Sequence, residues 1–158
     1  GTKKKGRSDV DDCVLFLATF KKGAVGSFEA TRLAAGNQNR NTIEINGSKG
    51  SLKFDFEDMN ILHFHEGFGG EAGSGWTRIM CTDANHHPYA ANWWPDAHVL
   101  GYEHGFVNMA ADIMRVLGGK KPTVPMPDFA DAYETQRVLE ASLLSAKERC
   151  AIKMSQVK

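Results

Sequence analysis

The repeat of apolar residues changes period part-way along the chain, and no other feature constrains the fold as much. Up to about residue 80 it repeats every two residues, as in a strand; from about residue 96 it repeats every three or four, as in a helix. Val14, Phe16, Ala18 and Phe20 alternate with Cys13, Leu15, Leu17 and Thr19, so the first strand is apolar on both faces and reads as a central one. Lys21-Lys22-Gly23 is a hairpin turn, with glycine where a positive φ is needed. A second strand over residues 24–34 sets Val25, Ser27, Glu29, Thr31 and Leu33 on one face, and Phe28, Ala30 and Arg32 on the other. Residues 42–46, 51–56, 60–65 and 76–81 read as further short strands, separated by turn-rich stretches at 36–40, 47–50 and 67–75.

The second half is helical. Asp96, after Trp93-Trp94-Pro95, is placed to cap a helix whose stripe is Val99, Tyr102, Phe106, Met109, Ala110, Ile113 and Leu117, ended by Gly118-Gly119. After a connector from Pro122 to Pro127, Asp128 caps a second helix over residues 129–149 that buries Ala132, Val138, Leu139, Ala141, Leu143 and Ala146 or their neighbours. Residues 151–155 read as a closing edge strand. The expected class is α+β: an open-faced, mainly antiparallel sheet with helices packed on one face.

Composition narrows the function. Nineteen Lys and Arg balance nineteen Asp and Glu in 158 residues, which gives no footprint for a polyanion. The basic start Lys3-Lys4-Lys5-Gly6-Arg7 lacks aromatic interleaving and reads as a solvated, flexible lead-in over residues 1–10. No apolar run approaches the ~20 residues of a membrane helix. Cys13, Cys81 and Cys150 are odd in number and form no CxxC pair, which fits reduced thiols in a cytoplasmic setting. The opening Gly1-Thr2, without Met or a targeting segment, reads as the start of a piece of a longer protein.

Few motifs carry chemistry. Gly67-Phe68-Gly69-Gly70-Glu71-Ala72 satisfies GxGxxA, but no βαβ unit surrounds it, and a hairpin loop is the better reading. Gly47-Ser48-Lys49-Gly50-Ser51 has the wrong spacing for a phosphate loop. His63, His65, His86, His87, His98 and His104 lack any zinc-site spacing, so structural or solvent roles are favoured over a metal. No GxSxG elbow or catalytic cysteine context is present. His86-His87-Pro88-Tyr89 and Trp93-Trp94-Pro95-Asp96-Ala97-His98 form the densest cluster. Flat aromatic faces beside imidazoles on a Pro-rich loop suit a sugar or polyol, although a hydrophobic plug over the sheet uses the same residues. Arg32 is either the partner of Glu29 or Glu44 or a ligand contact.

Several fragments together resemble the C-terminal domain of the glucose–fructose oxidoreductase/inositol dehydrogenase (Gfo/Idh/MocA) family. They are Val10-Asp11-Asp12, the run from Phe20 to Arg32, Glu44-Ile45-Asn46-Gly47-Ser48-Lys49-Gly50-Ser51-Leu52, His87-Pro88-Tyr89, Trp93-Trp94-Pro95, Gly101-Tyr102-Glu103-His104 and Val138-Leu139-Glu140-Ala141. The resemblance implies one substrate-binding and oligomerisation domain over residues 11–158, belonging to a two-domain oxidoreductase of a sugar, inositol or related polyol. It also implies that NAD or NADP, the Rossmann domain that holds it, the Glu-Lys-Pro lysine and the Asp/His pair belong to the intact parent protein. No catalytic, cofactor-binding or metal residue is therefore expected in this chain. In such a parent, hydride passes from a C–H bond to the nicotinamide while a base outside this chain takes the hydroxyl proton. The loop Asn37-Gln38-Asn39-Arg40 falls where family members carry a ligand-facing Tyr-Gly-Tyr segment, and His98 falls near another ligand-facing tyrosine, four residues before Tyr102. The expected substrate-binding residues are Arg32, Asn37, Asn39, Trp93, His98 and Tyr102. The expected partners are the sugar or polyol and further copies of the chain, paired through the sheet face; a non-catalytic, self-associating sheet domain is the alternative.

Overall fold

The computed structural model describes residues 6–67 and 75–157. The fold is α+β, as the changing period requires, with two antiparallel sheets and two long helices among the described residues. The strands divide between a two-stranded and a four-stranded sheet, where the pattern alone pointed to one. Two compact units result, one of residues 1–37 with 127–158 and the other of residues 38–126.

In the first unit, β1 (Cys13–Thr19) pairs antiparallel with β2 (Val25–Thr31), from Cys13 opposite Thr31 to Thr19 opposite Val25. Gly23 turns the hairpin at φ 89°, and its N–H donates to the Phe20 carbonyl. The stack of Phe16 on Phe28, with centroids 4.9 Å apart, knits one face. The expectation of a central β1 fails, because β2 is its only strand partner among the described residues. On the opposite face Leu15 and Leu17 are 67% and 85% exposed. A strand apolar on both faces seeks cover on both, but the sequence does not say that the cover lies within the same chain.

The helix α2 (Phe129–Glu148) starts where expected: the Asp128 carboxylate accepts the N–H groups of Ala130 and Asp131 at 2.8 and 2.9 Å. It buries Ala141 and Ser142, whereas Val138, Leu139 and Leu143 of the expected face remain exposed. Residues 151–155 do not form the expected strand. The tail instead makes a short 3-10 turn, Met154–Gln156, because the Arg137 guanidinium gathers the carbonyls of Met154 and Val157 and draws Val157 inward.

The second unit is a meander of β3 (Thr42–Gly47), β4 (Gly50–Asp55), β5 (Ile61–Glu66) and β6 (Thr77–Met80). Its register sets Ile43, Phe54, Leu62 and Ile79 in one cross-strand row, and Glu44, Lys53, His63 and Arg78 in a row on the other face. The β3–β4 turn depends on Gly50, at φ 155°, where an added Cβ would lie 2.6 Å from the His65 carbonyl oxygen. The GxGxxA stretch lies outside the described residues beyond Gly67.

The helix α1 (Tyr102–Leu117) begins five residues later than Asp96 would place it. The Asp96 carboxylate instead accepts the Ala84 N–H at 2.9 Å, and Ala97 follows at φ 65°, so the chain cannot enter a helix there. The expected apolar stripe of α1 is exposed. Its inward line is polar: His104, Asn108 and the fully buried Asp112, spaced four apart.

Candidate functional site

The segment between β6 and α1, residues 81–101, carries the dense aromatic and imidazole cluster, and polar bonds hold it at nearly every turn. At its far end the Asn60 side chain clamps Leu100 in both directions, accepting its N–H at 2.8 Å and donating to its carbonyl at 2.9 Å. At its start the Asn85 N–H, and after it the His86 ring, hold the Asp83 carboxyl below its ordinary value. In between, the Thr82 carbonyl accepts the Ala97 N–H at 2.9 Å, and Asp96 ties back to Ala84.

The polar line of α1 fastens the middle of the segment. Trp93 donates its indole N–H to Asn108 Oδ1 at 2.9 Å and meets the His104 ring edge-on, with centroids 4.4 Å apart. His104 Nδ1 accepts the Gly101 N–H at 3.0 Å, so the ring proton sits on Nε2. Two turns on, Asp112 accepts the Tyr89 hydroxyl at 2.6 Å and both the hydroxyl and N–H of Thr123 at 2.7 and 3.0 Å. The Tyr89 hydroxyl bond, supported by Thr123, holds the Asp112 carboxyl down at about 2 against the opposing effect of burial. Burial, then Asp112 itself, pushes the Tyr89 phenol above its ordinary value.

Two features of the 95–98 corner and its surroundings are costly for folding. Ala97 is a non-glycine residue in left-handed backbone, and Thr82 Oγ1 is buried without a hydrogen-bond partner among the described residues. His98 stands at this corner. Its Nδ1 lies 2.9 Å from the Pro95 carbonyl and 3.2 Å from that of Asp96; a carbonyl can only accept, so Nδ1 carries the proton and Nε2 is left as an acceptor on an exposed ring.

The six sequence-derived candidates fall into separate surroundings. Trp93 is half-buried with its N–H used, so only its ring remains to offer a ligand. Tyr102 is exposed and packs edge-on against Phe56 and Phe106, at centroid distances of 5.7 and 5.0 Å. The Asn39 N–H donates to Glu57 Oε1 at 3.0 Å, and its side-chain oxygen accepts from Asn41. The Asn37 N–H donates to the Ala34 carbonyl at 3.2 Å. Arg32 lies in the other unit, on a cavity of about 310 Å³ whose lining also includes Asp11, Asp12, Val14, Ala30, Leu139 and Leu143 and none of the other five candidates. No ion pair joins Arg32 to Glu29 among the described residues; Glu44 belongs to the other unit, where it lies 4.0 Å from Lys53.

The sequence reading missed Asn60, Asn108 and Asp112, which shape the segment without facing outward. The four-residue spacing of His104, Asn108 and Asp112 was available as a signal. Among the described residues no three His, Cys, Asp or Glu side chains gather as a metal-ligand set.

Comparison with known proteins places this geometry. Residues 1–53 match the profile of the GFO/IDH/MocA C-terminal domain. Over 160 aligned residues the chain is 33% identical to a levoglucosan dehydrogenase of Pseudarthrobacter phenanthrenivorans, covering 99% of this chain and 40% of that protein. The crystal structure of an oxidoreductase domain protein from Kribbella flavida superposes with a TM-score of 0.82 at 51% identity, over 92% of this chain and 37% of that one. A levoglucosan dehydrogenase in complex with NADH and levoglucosan superposes with a TM-score of 0.80 at 33% identity, over 92% of this chain and 39% of the other. The chain thus spans about two-fifths of the length of these relatives.

Proposed function

The chain belongs to the Gfo/Idh/MocA family through its C-terminal domain, and from that premise we propose that it forms the substrate-binding and self-associating part of an NAD-dependent oxidoreductase of a sugar or polyol. The observation that carries this reading is the 33% identity, sustained over 99% of the chain, to an enzyme named for levoglucosan. Levoglucosan dehydrogenase has been solved with NADH and levoglucosan and with NADH and L-sorbose.

In this reading the 81–101 segment is a rigid platform for hydroxyl groups. His98 Nε2 accepts from one hydroxyl, the Asn39 side chain reads another, and the ring faces of Trp93 and Tyr102 pack against C–H surfaces. Asn37, expected as a hydroxyl contact from its loop position, belongs to the other unit and is kept apart from this platform. The strained Ala97 and the unpartnered Thr82 hydroxyl support the assignment, since such costs concentrate where function fixes a geometry. Arg32 stands outside the hydroxyl-reading group, because it lines a cavity in the other unit. The residues described do not fit a dinucleotide: both sheets are antiparallel, and no parallel βαβ unit supplies a pyrophosphate cradle among them. No reaction step is therefore assigned to these residues.

Self-association is proposed through the outer face of the β1–β2 hairpin, where Leu15, Leu17 and Val25 are exposed. The same face favours the second reading, a self-associating domain without a sugar ligand. Among the described residues no helix is long and apolar enough to cross a membrane, and the free Cys13, Cys81 and Cys150 fit a cytoplasmic protein.

The test is to assay the complete gene product for NADH formation with levoglucosan, other sugars and inositols. Turnover of at least one is expected, with His98→Ala raising KM by about 3- to 10-fold, the value of one lost hydrogen bond between uncharged groups. If no sugar or polyol is oxidised with either nicotinamide cofactor while the protein sediments as an oligomer, the second reading replaces the first.

A further inference from the structure

The unit of residues 1–37 and 127–158 contains the cavity of about 310 Å³, distinct in chemistry from the hydroxyl-reading platform. Its uncharged walls are mainly alkyl, Val14 and Ala30 from the hairpin and Leu139 and Leu143 from α2, with Cys13, Thr31 and Ser142 beside them. Its charged lining has both signs, Arg32 against Asp11 and Asp12. Arg40, Arg78, Arg115 and Arg137 each have a carboxylate within 4.0 Å. Arg32, like Arg7 and Arg149, has none among the described residues, although two carboxylates line the same cavity. Asp11 and Asp12 likewise have no side-chain hydrogen bond or ion pair among the described residues.

We propose that this cavity binds a small zwitterion with an alkyl side chain, of the class of the branched-chain α-amino acids. Three exposed charges without a protein partner among the described residues line one cavity, and together they suit a ligand that carries both signs. The planar Arg32 fork suits a carboxylate, and the Asp11–Asp12 pair suits an ammonium group. A simple carboxylic acid would meet two like charges, and a simple amine would meet the guanidinium. A polyol could bond the three charged side chains but would set its remaining hydroxyls against four alkyl side chains, where an alkyl group is the better match. The two wall hydroxyls each already hold one backbone bond: Ser142 donates to the Leu139 carbonyl at 2.7 Å, and Thr31 Oγ1 accepts the Leu33 N–H at 3.0 Å. The volume lies at the low end of ligand pockets, about 300–1,000 Å³, and suits a compact ligand. The inference goes beyond the sugar reading and does not rest on it.

Calorimetric and NMR titration of the 158-residue chain with L-leucine, 4-methylpentanoate and isoamylamine tests it. Leucine is expected to bind saturably with Kd of about 1 mM or below, and each of the other two at least ~10-fold more weakly. Arg32→Gln is expected to weaken leucine by ~10-fold or more without weakening isoamylamine. Leu143→Trp, which fills the cavity from a half-exposed helix position, is expected to abolish binding of all three with the circular dichroism unchanged. Absence of saturable leucine binding, equal affinity for leucine and 4-methylpentanoate, or leucine binding untouched by either substitution each overturns the proposal.

Discussion

The two long helices are built from comparable lengths of chain, 16 residues in α1 and 20 in α2, yet they bury opposite kinds of side chain. The inward positions of α2 are small or aliphatic, Ala141 and Ser142 at the centre, and among the described residues its long-range polar contacts come from Arg137 on the tail. The inward line of α1 is His104, Asn108 and Asp112, while its apolar stripe from Tyr102 to Leu117 faces outward. Burial of apolar area is non-directional and tolerates sliding. A ladder of hydrogen bonds fixes one register between a helix and the loop beside it. The difference teaches that α1 is used to hold a loop in a single shape, and α2 to pack a small core.

The largest expected effect comes from breaking that ladder at its deepest rung. Asp112→Ala removes the acceptor for the Tyr89 hydroxyl and both Thr123 donors in a residue only 2% exposed. A fall in Tm on the order of 10 °C is expected by scanning calorimetry. A fall of only a degree or two would mean that the ladder does not hold α1. The same carboxyl sharpens the comparison through pH. Its folded value is depressed to about 2 from 3.8, so its stabilisation is present above about 3.8 and disappears as pH falls through 2. Tyr89 acts at the other end: its phenol is raised above 10, so its contribution is present below 10 and disappears as pH rises through the raised value. Asp112→Asn should flatten the acid limb between about pH 4 and 2, measured as Tm against pH.

This asymmetry explains what was legible in the sequence. Strand positions followed from alternation, and β1 to β6 lie within a few residues of their expected places, because turns such as Lys21-Lys22-Gly23 announce themselves chemically. The start of α2 was legible because Asp128 caps through local bonds. The start of α1 was not, since whether Asp96 caps a helix or binds Ala84 depends on where residue 84 has been carried by the fold. The exposed stripe of α1 failed for a related reason: periodicity reports which face is apolar, not whether its cover belongs to the same chain. At the site, His98 and Trp93 stood out by aromatic density. Asn60 did not, because a lone asparagine at a strand edge gives no hint of a partner forty residues away.

The intermediate effect tests α2's polar exception. Arg137→Ala deletes donors to the Val157 and Met154 carbonyls and the ion pair to Glu134. A loss of about 2 kcal/mol is expected, as for hydrogen bonds that involve a charged group. Hydrogen exchange should show it as faster exchange at residues 154–157, with residues 89–112 unaffected. Acceleration in both regions would show that the two helices are not separately held.

The smallest effects lie at the helix starts, where the contrast can be inverted by design. The start of α2 has a side-chain cap, and Asp128→Ala should cost about 1 kcal/mol in urea unfolding. The cap residue of α1 is Gly101, and the acceptor there comes from within the helix, His104 Nδ1 receiving the Gly101 N–H. An added Cβ at Gly101 would lie 2.7 Å from Glu103 Oε2, but that carboxylate ends a flexible, exposed side chain and can move aside. The backbone there is extended, at φ −102° and ψ 177°, a conformation open to any residue. Gly101→Ser should therefore give α1 the cap that α2 already has and stabilise the protein by a few tenths of a kcal/mol, about the difference between glycine and serine at such a position. The gain should persist in a Trp93→Phe background, because the introduced hydroxyl acts on the helix N–H groups and not on the indole. If Gly101→Ser destabilises by about 1 kcal/mol or more, well outside the usual range for that exchange, the Glu103 side chain does not move aside, and the start of α1 is as tightly determined as its buried polar line.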